Sequence, residues 1–226
     1  MILHGSLTLG DYVPGRSDID LLLVVEDSPT DAQSVILEAA FADEAQSAPG
    51  RVDFRMVTRD VAAAPTPAPP LELAIARSAD GELAVERHLA HERDLVVEFS
   101  MCRAHGRSLA GAPPAEVLAE VPDEWLLDVG DDQLASWQAL EYSPRHAELM
   151  VFTACRVWLF AKERRHSSKT AAGEWALRCD PTLHVVRDAL HRRHANRSTA
   201  LEEAPVRELL AAARTHVAQA RRRHGS

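Results

Sequence analysis

The chain has 226 residues, 46% hydrophobic and 26% charged, with a formal net charge of -9. That is enough sequence for one large or two small domains with real cores, and the balance excludes a disordered chain. The acidity disfavours nucleic acid and anionic membranes as partners and favours a cationic small molecule. The three cysteines, Cys102, Cys155 and Cys179, form no CxxC pair, so neither a disulfide framework nor a zinc site is expected. No apolar run is long enough to span a membrane and no signal segment opens the chain, which makes the cytoplasm the expected compartment.

In chain order, apolar runs at Met1 to His4, Ile19 to Val25, Val52 to Thr58, Leu71 to Ala76 and Glu82 to Arg87 alternate with turn signals and predict strands. Thr30 to Ala48 shows helical spacing after the capping oxygens of Ser28 and Thr30, giving a βαβ-like stretch. Asp80-Gly81 between two apolar runs predicts a hairpin. The proline-rich segment Ala62 to Pro70 reads as a loop inside the same domain.

From about Glu86 onward long helical periodicities take over, at Asp94 to His105, Ala115 to Val121, Gln133 to Leu140, Arg145 to Arg164, Ser168 to Arg178 and Pro205 to Arg222. The expected architecture is thus α+β or α/β. A mixed-sheet domain over residues 1–88 precedes a helical bundle domain over residues 89–226.

Chemistry concentrates near the N-terminus. His4-Gly5-Ser6 is followed by a loop and then by Ser17-Asp18-Ile19-Asp20, which opens the apolar run Leu21 to Val25. Strand alternation puts Asp18 and Asp20 on one side. Two close carboxylates raise each other's pKa unless a cation separates them, and a hard divalent ion such as Mg2+ is the natural choice. Gly5 and Ser6 make a turn able to hold phosphate oxygens, and Ser17 adds a donor. Asp53, on the next predicted strand, brings a third acid toward the same centre. Singly these residues would read as caps or strand-edge charges; their combination is uncommon without a function.

The Gly5-Ser6 and Asp18-Ile19-Asp20 pattern resembles the polymerase-beta-type nucleotidyltransferase superfamily. Arg93-Asp94-Leu95, Arg103 to Gly111, Cys155-Arg156-Val157-Trp158 and Ser168-Lys169 to Ala176 narrow this. They resemble the aminoglycoside adenylyltransferases that modify streptomycin and spectinomycin. The resemblance implies that Asp18 and Asp20 bind Mg2+, that Gly5, Ser6, Ser17, Arg156 and Lys169 contact ATP, and that Asp53 stands at the catalytic base. It places Trp137, Glu141 and Glu148 near the acceptor.

Some positions depart from that family. Asp53 replaces a glutamate, Ala76 replaces a substrate tryptophan, and Tyr142 and His146 lie where drug-gripping acids are expected. His216 lies near the place of an adenine-packing aromatic.

The implied activity is Mg2+-dependent transfer of AMP from ATP to a hydroxyl of a small acceptor, by a monomer or weak oligomer; an aminoglycoside is the acceptor that the resemblance suggests. Two alternatives stay open: adenylylation of a protein partner, as in antitoxin-like enzymes, and a nucleotide-binding regulator without catalysis. The remaining histidines and tryptophans carry no assigned chemistry. His191 and His194 lack a third metal ligand at ordinary spacing, and Trp125, Trp158 and Trp175 occupy core-like positions.

Overall fold

The structure is a computed structural model and describes residues 1–44, 51–77, 82–195 and 200–224. It divides into two compact units, Met1–Val121 and Pro122–Ser226. The first contains β1 (Ile2–His4), α1 (Gly5–Thr8), β2 (Ile19–Val25), α2 (Asp31–Glu44), β3 (Val52–Thr58), α3 (Arg59–Ala63), β4 (Leu71–Arg77), β5 (Leu83–Leu89), α4 (Asp94–His105), β6 (Arg107–Ser108) and α5 (Pro114–Val117). The second contains α6 (Asp123–Ala139), α7 (Ala147–Glu163), α8 (Lys169–Cys179), α9 (His184–Ala195) and α10 (Glu203–His224).

The strands form one mixed sheet in the order β5-β4-β3-β2-β1-β6. β2 and β3 are parallel and joined through α2, as the βαβ pattern predicts; the other pairings are antiparallel. Both faces of the sheet are covered. Leu21, Leu23, Val25, Phe54 and Met56 turn toward Leu37 and Phe41 of α2. The alternate residues Ile2, Leu22 and Val57 pack against Leu95, Phe99 and Cys102 of α4. A strand buried on both sides reads as a continuous apolar run, which is why Leu21 to Val25 shows no alternation.

Thr30 and Gln33 start α2 with a capping box: the Gln33 backbone N–H donates to Thr30 Oγ1, while Gln33 Oε1 accepts from the Thr30 backbone N–H. The expected span to Ala48 continues past Glu44, where it leaves the described residues, and the Asp80-Gly81 hairpin turn lies outside them too.

The first unit runs beyond the boundary expected at residue 88, to Val121. Three contacts explain this. β6 pairs with β1 and extends the sheet, Arg103 of α4 donates to the Ala115 and Leu118 carbonyls, and Leu118 is buried in the α4 core. The helix expected from Ala115 to Val121 is consequently one turn. Its continuation, Leu118, is extended so that it can reach that core. Gly106 lets α4 end tightly against the sheet, since a Cβ there would lie 2.8 Å from Ile2 Cγ2.

In the second unit, α7 is buried on most sides by α6, α8, α9 and α10, and its core includes Phe152, Cys155, Trp158 and Leu159. α6 begins at Asp123, well before the expected Gln133. Pro122 stands at its N-cap and the acids Asp123 and Glu124 occupy its first turn, where they suit the helix dipole. α9 occupies a segment in which the sequence offered only the His191/His194 spacing. Among the described residues no helix is long and apolar enough to cross a membrane.

Phe99 is fully buried between α4 and the sheet. Phe99→Ala should therefore cost about 3–5 kcal/mol in urea unfolding, whereas Ile36→Ala, at a 68% exposed site on α2, should stay within about 0.5 kcal/mol.

Candidate active site

The sheet register sets side by side the residues that the sequence motif contains. His4, the last residue of β1, pairs with Asp20 of β2, and Asp20 pairs with Asp53 of β3. The three lie in one row across adjacent strands, on the face covered further along by α4. Directly after His4 the backbone turns at Gly5, whose φ is +67°. Asp20 rests against this glycine so closely that a Cβ would fall 1.8 Å from its Oδ2. Gly5 is thus required twice, by the left-handed backbone and by the carboxylate lying on it.

The row is electrostatically crowded. Burial pushes Asp20 up to about 6; His4 opposes that shift, and Asp53, Asp18 and Glu98 reinforce it. Burial also raises Asp53 above the usual aspartate range, with Arg55 acting against the rise. Burial disfavours the charged form of His4 as well, but Glu98, Asp20 and Asp53 outweigh it and hold the imidazole above the usual histidine range.

Asp18 lies just before β2, not in it, and its Oδ1 accepts a 2.7 Å hydrogen bond from Arg51 Nε. Ser17 Oγ accepts from the Val13 backbone N–H and closes the loop that precedes the acids. Ser6 Oγ is buried and has no hydrogen-bond partner among the described residues.

Do these residues suit Mg2+? Among the described residues there is no group of three or more metal-ligating side chains. Mg2+ does not need one, because it is commonly held by one or two carboxylates with water and substrate phosphates completing its shell. Asp18 and Asp20 supply hard oxygen donors. The donor set fits the ion.

Sequence motifs alone give no role to His4, Arg55 or Glu98. Glu98, on α4, faces His4 Nε2 at 3.2 Å and Arg55 Nη1 at 3.2 Å, and Arg55 Nε lies 3.9 Å from Asp53 Oδ1. Two signals were present: an acid among Leu95, Phe99 and Cys102 on a helical stripe, and an arginine two residues beyond Asp53 on a strand.

The other expected site residues belong to the second unit. Arg156 is half-buried on α7, and Lys169 opens α8 directly after the Ser168 cap, whose Oγ accepts from the Ala171 N–H. Trp137 is half-buried near the end of α6, with its ring 5.8 Å from that of His146, and Glu141 is exposed just past that helix. Glu148, in the first turn of α7, has an oxygen 3.8 Å from Arg192 Nε. His216 stacks on Trp158 at 4.7 Å.

Residues 1–109 match the nucleotidyltransferase domain family, and residues 116–219 match the family described as aminoglycoside adenylyltransferase, C-terminal domain. No curated protein sequence matches the chain. Among solved structures, the fold is similar to a spectinomycin adenyltransferase from Enterococcus faecialis, determined with ATP and spectinomycin. The TM-score is 0.71 at 16% identity, over 96% of this chain and 90% of that one.

Two outcomes follow from the crowding. Protonated Asp20 favours the fold; its contribution is complete below the ordinary pKa of 3.8 and is lost as pH rises through about 6. Asp20→Asn should accordingly raise the metal-free thermal midpoint at pH 7.5 by about 2–4 °C and have no such effect near pH 4. Gly5→Ala should displace the Asp20 carboxylate and weaken Mn2+ binding in a calorimetric titration.

Proposed function

The chain belongs to the aminoglycoside adenylyltransferase-like nucleotidyltransferases, and on that premise we propose that it transfers AMP from ATP to a hydroxyl of a small cationic acceptor of the streptomycin or spectinomycin kind. The observation that carries this reading is the row of Asp20 and Asp53 beside the Gly5 turn, where the buried Ser6 hydroxyl still lacks a partner among the described residues. In the reaction a bond forms between the acceptor oxygen and the α-phosphorus. The bond from that phosphorus to the bridging oxygen breaks, and pyrophosphate leaves.

Asp18 and Asp20 are the proposed magnesium ligands. When bound, a divalent ion supplies charge neutralisation for the carboxylates and for the phosphate oxygens. Ser6 donates its hydroxyl to a phosphate oxygen, and the open Gly5 Cα allows close approach of the backbone. Asp53 accepts the proton of the attacking hydroxyl at a carboxylate oxygen; its raised proton affinity brings it nearer to the working pH than an ordinary aspartate. Ser17, Arg156 and Lys169 keep their proposed place at the nucleotide through the family resemblance, as do Trp137, Glu141 and Glu148 at the acceptor. A net charge of -9 favours the approach of a polycationic drug.

The test is magnesium-dependent pyrophosphate release from ATP with a panel of aminoglycosides. Release should require a drug, and Asp18→Asn, Asp20→Asn and Asp53→Asn should each lower kcat/KM by about 10²–10⁴-fold. ATP binding with no release in the presence of any drug would overturn the reading in favour of a protein acceptor or a regulator.

A further inference from the structure

Glu98 has no part in the reaction above, yet it occupies an expensive position. It projects from α4 among Leu95, Phe99 and Cys102, all buried in the core between that helix and the sheet. A carboxylate taken out of water there is tolerated only when its charge is matched. Arg55 matches it at Oε2, with Nη1 at 3.2 Å, and His4 Nε2 stands 3.2 Å from Oε1.

Arg55 shares a strand face with Asp53 and is shared between two acids. It is nearer to Glu98, at 3.2 Å, than to Asp53, at 3.9 Å. The longer separation exceeds hydrogen-bond range. A guanidinium that closed on Asp53 would form two parallel hydrogen bonds and occupy both carboxylate oxygens, one of which must receive the acceptor's proton. Without Glu98, Asp53 would be the nearest remaining acid for Arg55.

Building on the assignment of Asp53 as the base, we propose that Glu98 is a positioning residue that anchors Arg55 away from Asp53 and so keeps the Asp53 carboxylate open to the attacking hydroxyl. His4 assists by engaging the other oxygen of Glu98.

The test combines crystal structures and steady-state kinetics of Glu98→Gln and of Glu98→Gln with Arg55→Met. In the Glu98→Gln crystal, Arg55 should close to about 3 Å from the Asp53 oxygens. Its kcat should fall by about tenfold or more while the KM for ATP changes by less than about twofold, the pattern of a defect in the chemical step. Removing Arg55 as well should make the double variant more active than Glu98→Gln per folded molecule, with both assayed well below their thermal midpoints, a rescue that relief of an unpaired buried charge would not by itself produce.

Arg55 staying at its wild-type separation in the Glu98→Gln crystal would overturn the proposal, as would a double variant no more active than Glu98→Gln. If Glu98→Gln alone fails to fold, the double variant carries the test, because it buries neither charge. Activity within about tenfold of wild type then upholds the proposal, and a larger loss overturns it. The crystallographic arm needs no acceptor. A wrong acceptor class would therefore show as absent turnover in the wild-type protein, while the Arg55 to Asp53 separation in the variant crystal would still report on Glu98.

Discussion

Asp20 and Asp53 stand side by side on parallel strands, both half-buried, with Asp18 and Glu98 close enough to add to their repulsion. Much of the first unit can be understood as an answer to that crowding. Gly5 removes a side chain so that Asp20 has somewhere to rest. Arg51 takes part of the charge of Asp18, Arg55 takes part of that of Glu98, and His4 is held toward its charged form by the acids around it. The row remains short of positive charge, which is the condition under which a divalent ion and its phosphate ligands bind favourably.

The fold of the first unit was legible because its signals are local. Val52 to Thr58 and Leu21 to Val25 are apolar runs too short for helices, and the helix between them carries a Thr30-x-x-Gln33 cap. The Asp-Ile-Asp motif could be placed for the same reason. Glu98, by contrast, is separated by many residues from His4 and Arg55, and only the packing of α4 across the sheet joins them. No spacing rule along a chain reports such a contact. The limit of the first unit is hidden for a related reason. The helical period begins at Asp94, but α4 spends its apolar face on the sheet, and Arg103 carries the following segment with it.

The second unit rests on different physics. Its centre, α7, is apolar nearly all round, as a helix surrounded by others must be. Polar groups are managed at its ends. Arg164, in the left-handed conformation with φ 53°, stops the helix and donates to the Phe160 and Ala161 carbonyls. Tyr142 donates to the Leu201 carbonyl and ties the segment between α6 and α7 to the approach to α10.

The shared register of His4, Asp20 and Asp53 also bears on how this sequence can drift. Side chains along a strand alternate faces, so inserting or deleting one codon inside β2 or β3 would send an acid into the apolar layer under α2 and a leucine or phenylalanine into the site. Folding and catalysis would fail together, with no intermediate variant that keeps one and loses the other. Length changes between Leu9 and Tyr12, ahead of the turn that Val13 and Ser17 close, leave the strand register unchanged. Evolutionary tinkering with reading length should therefore collect in that loop and leave the strands uniform in length.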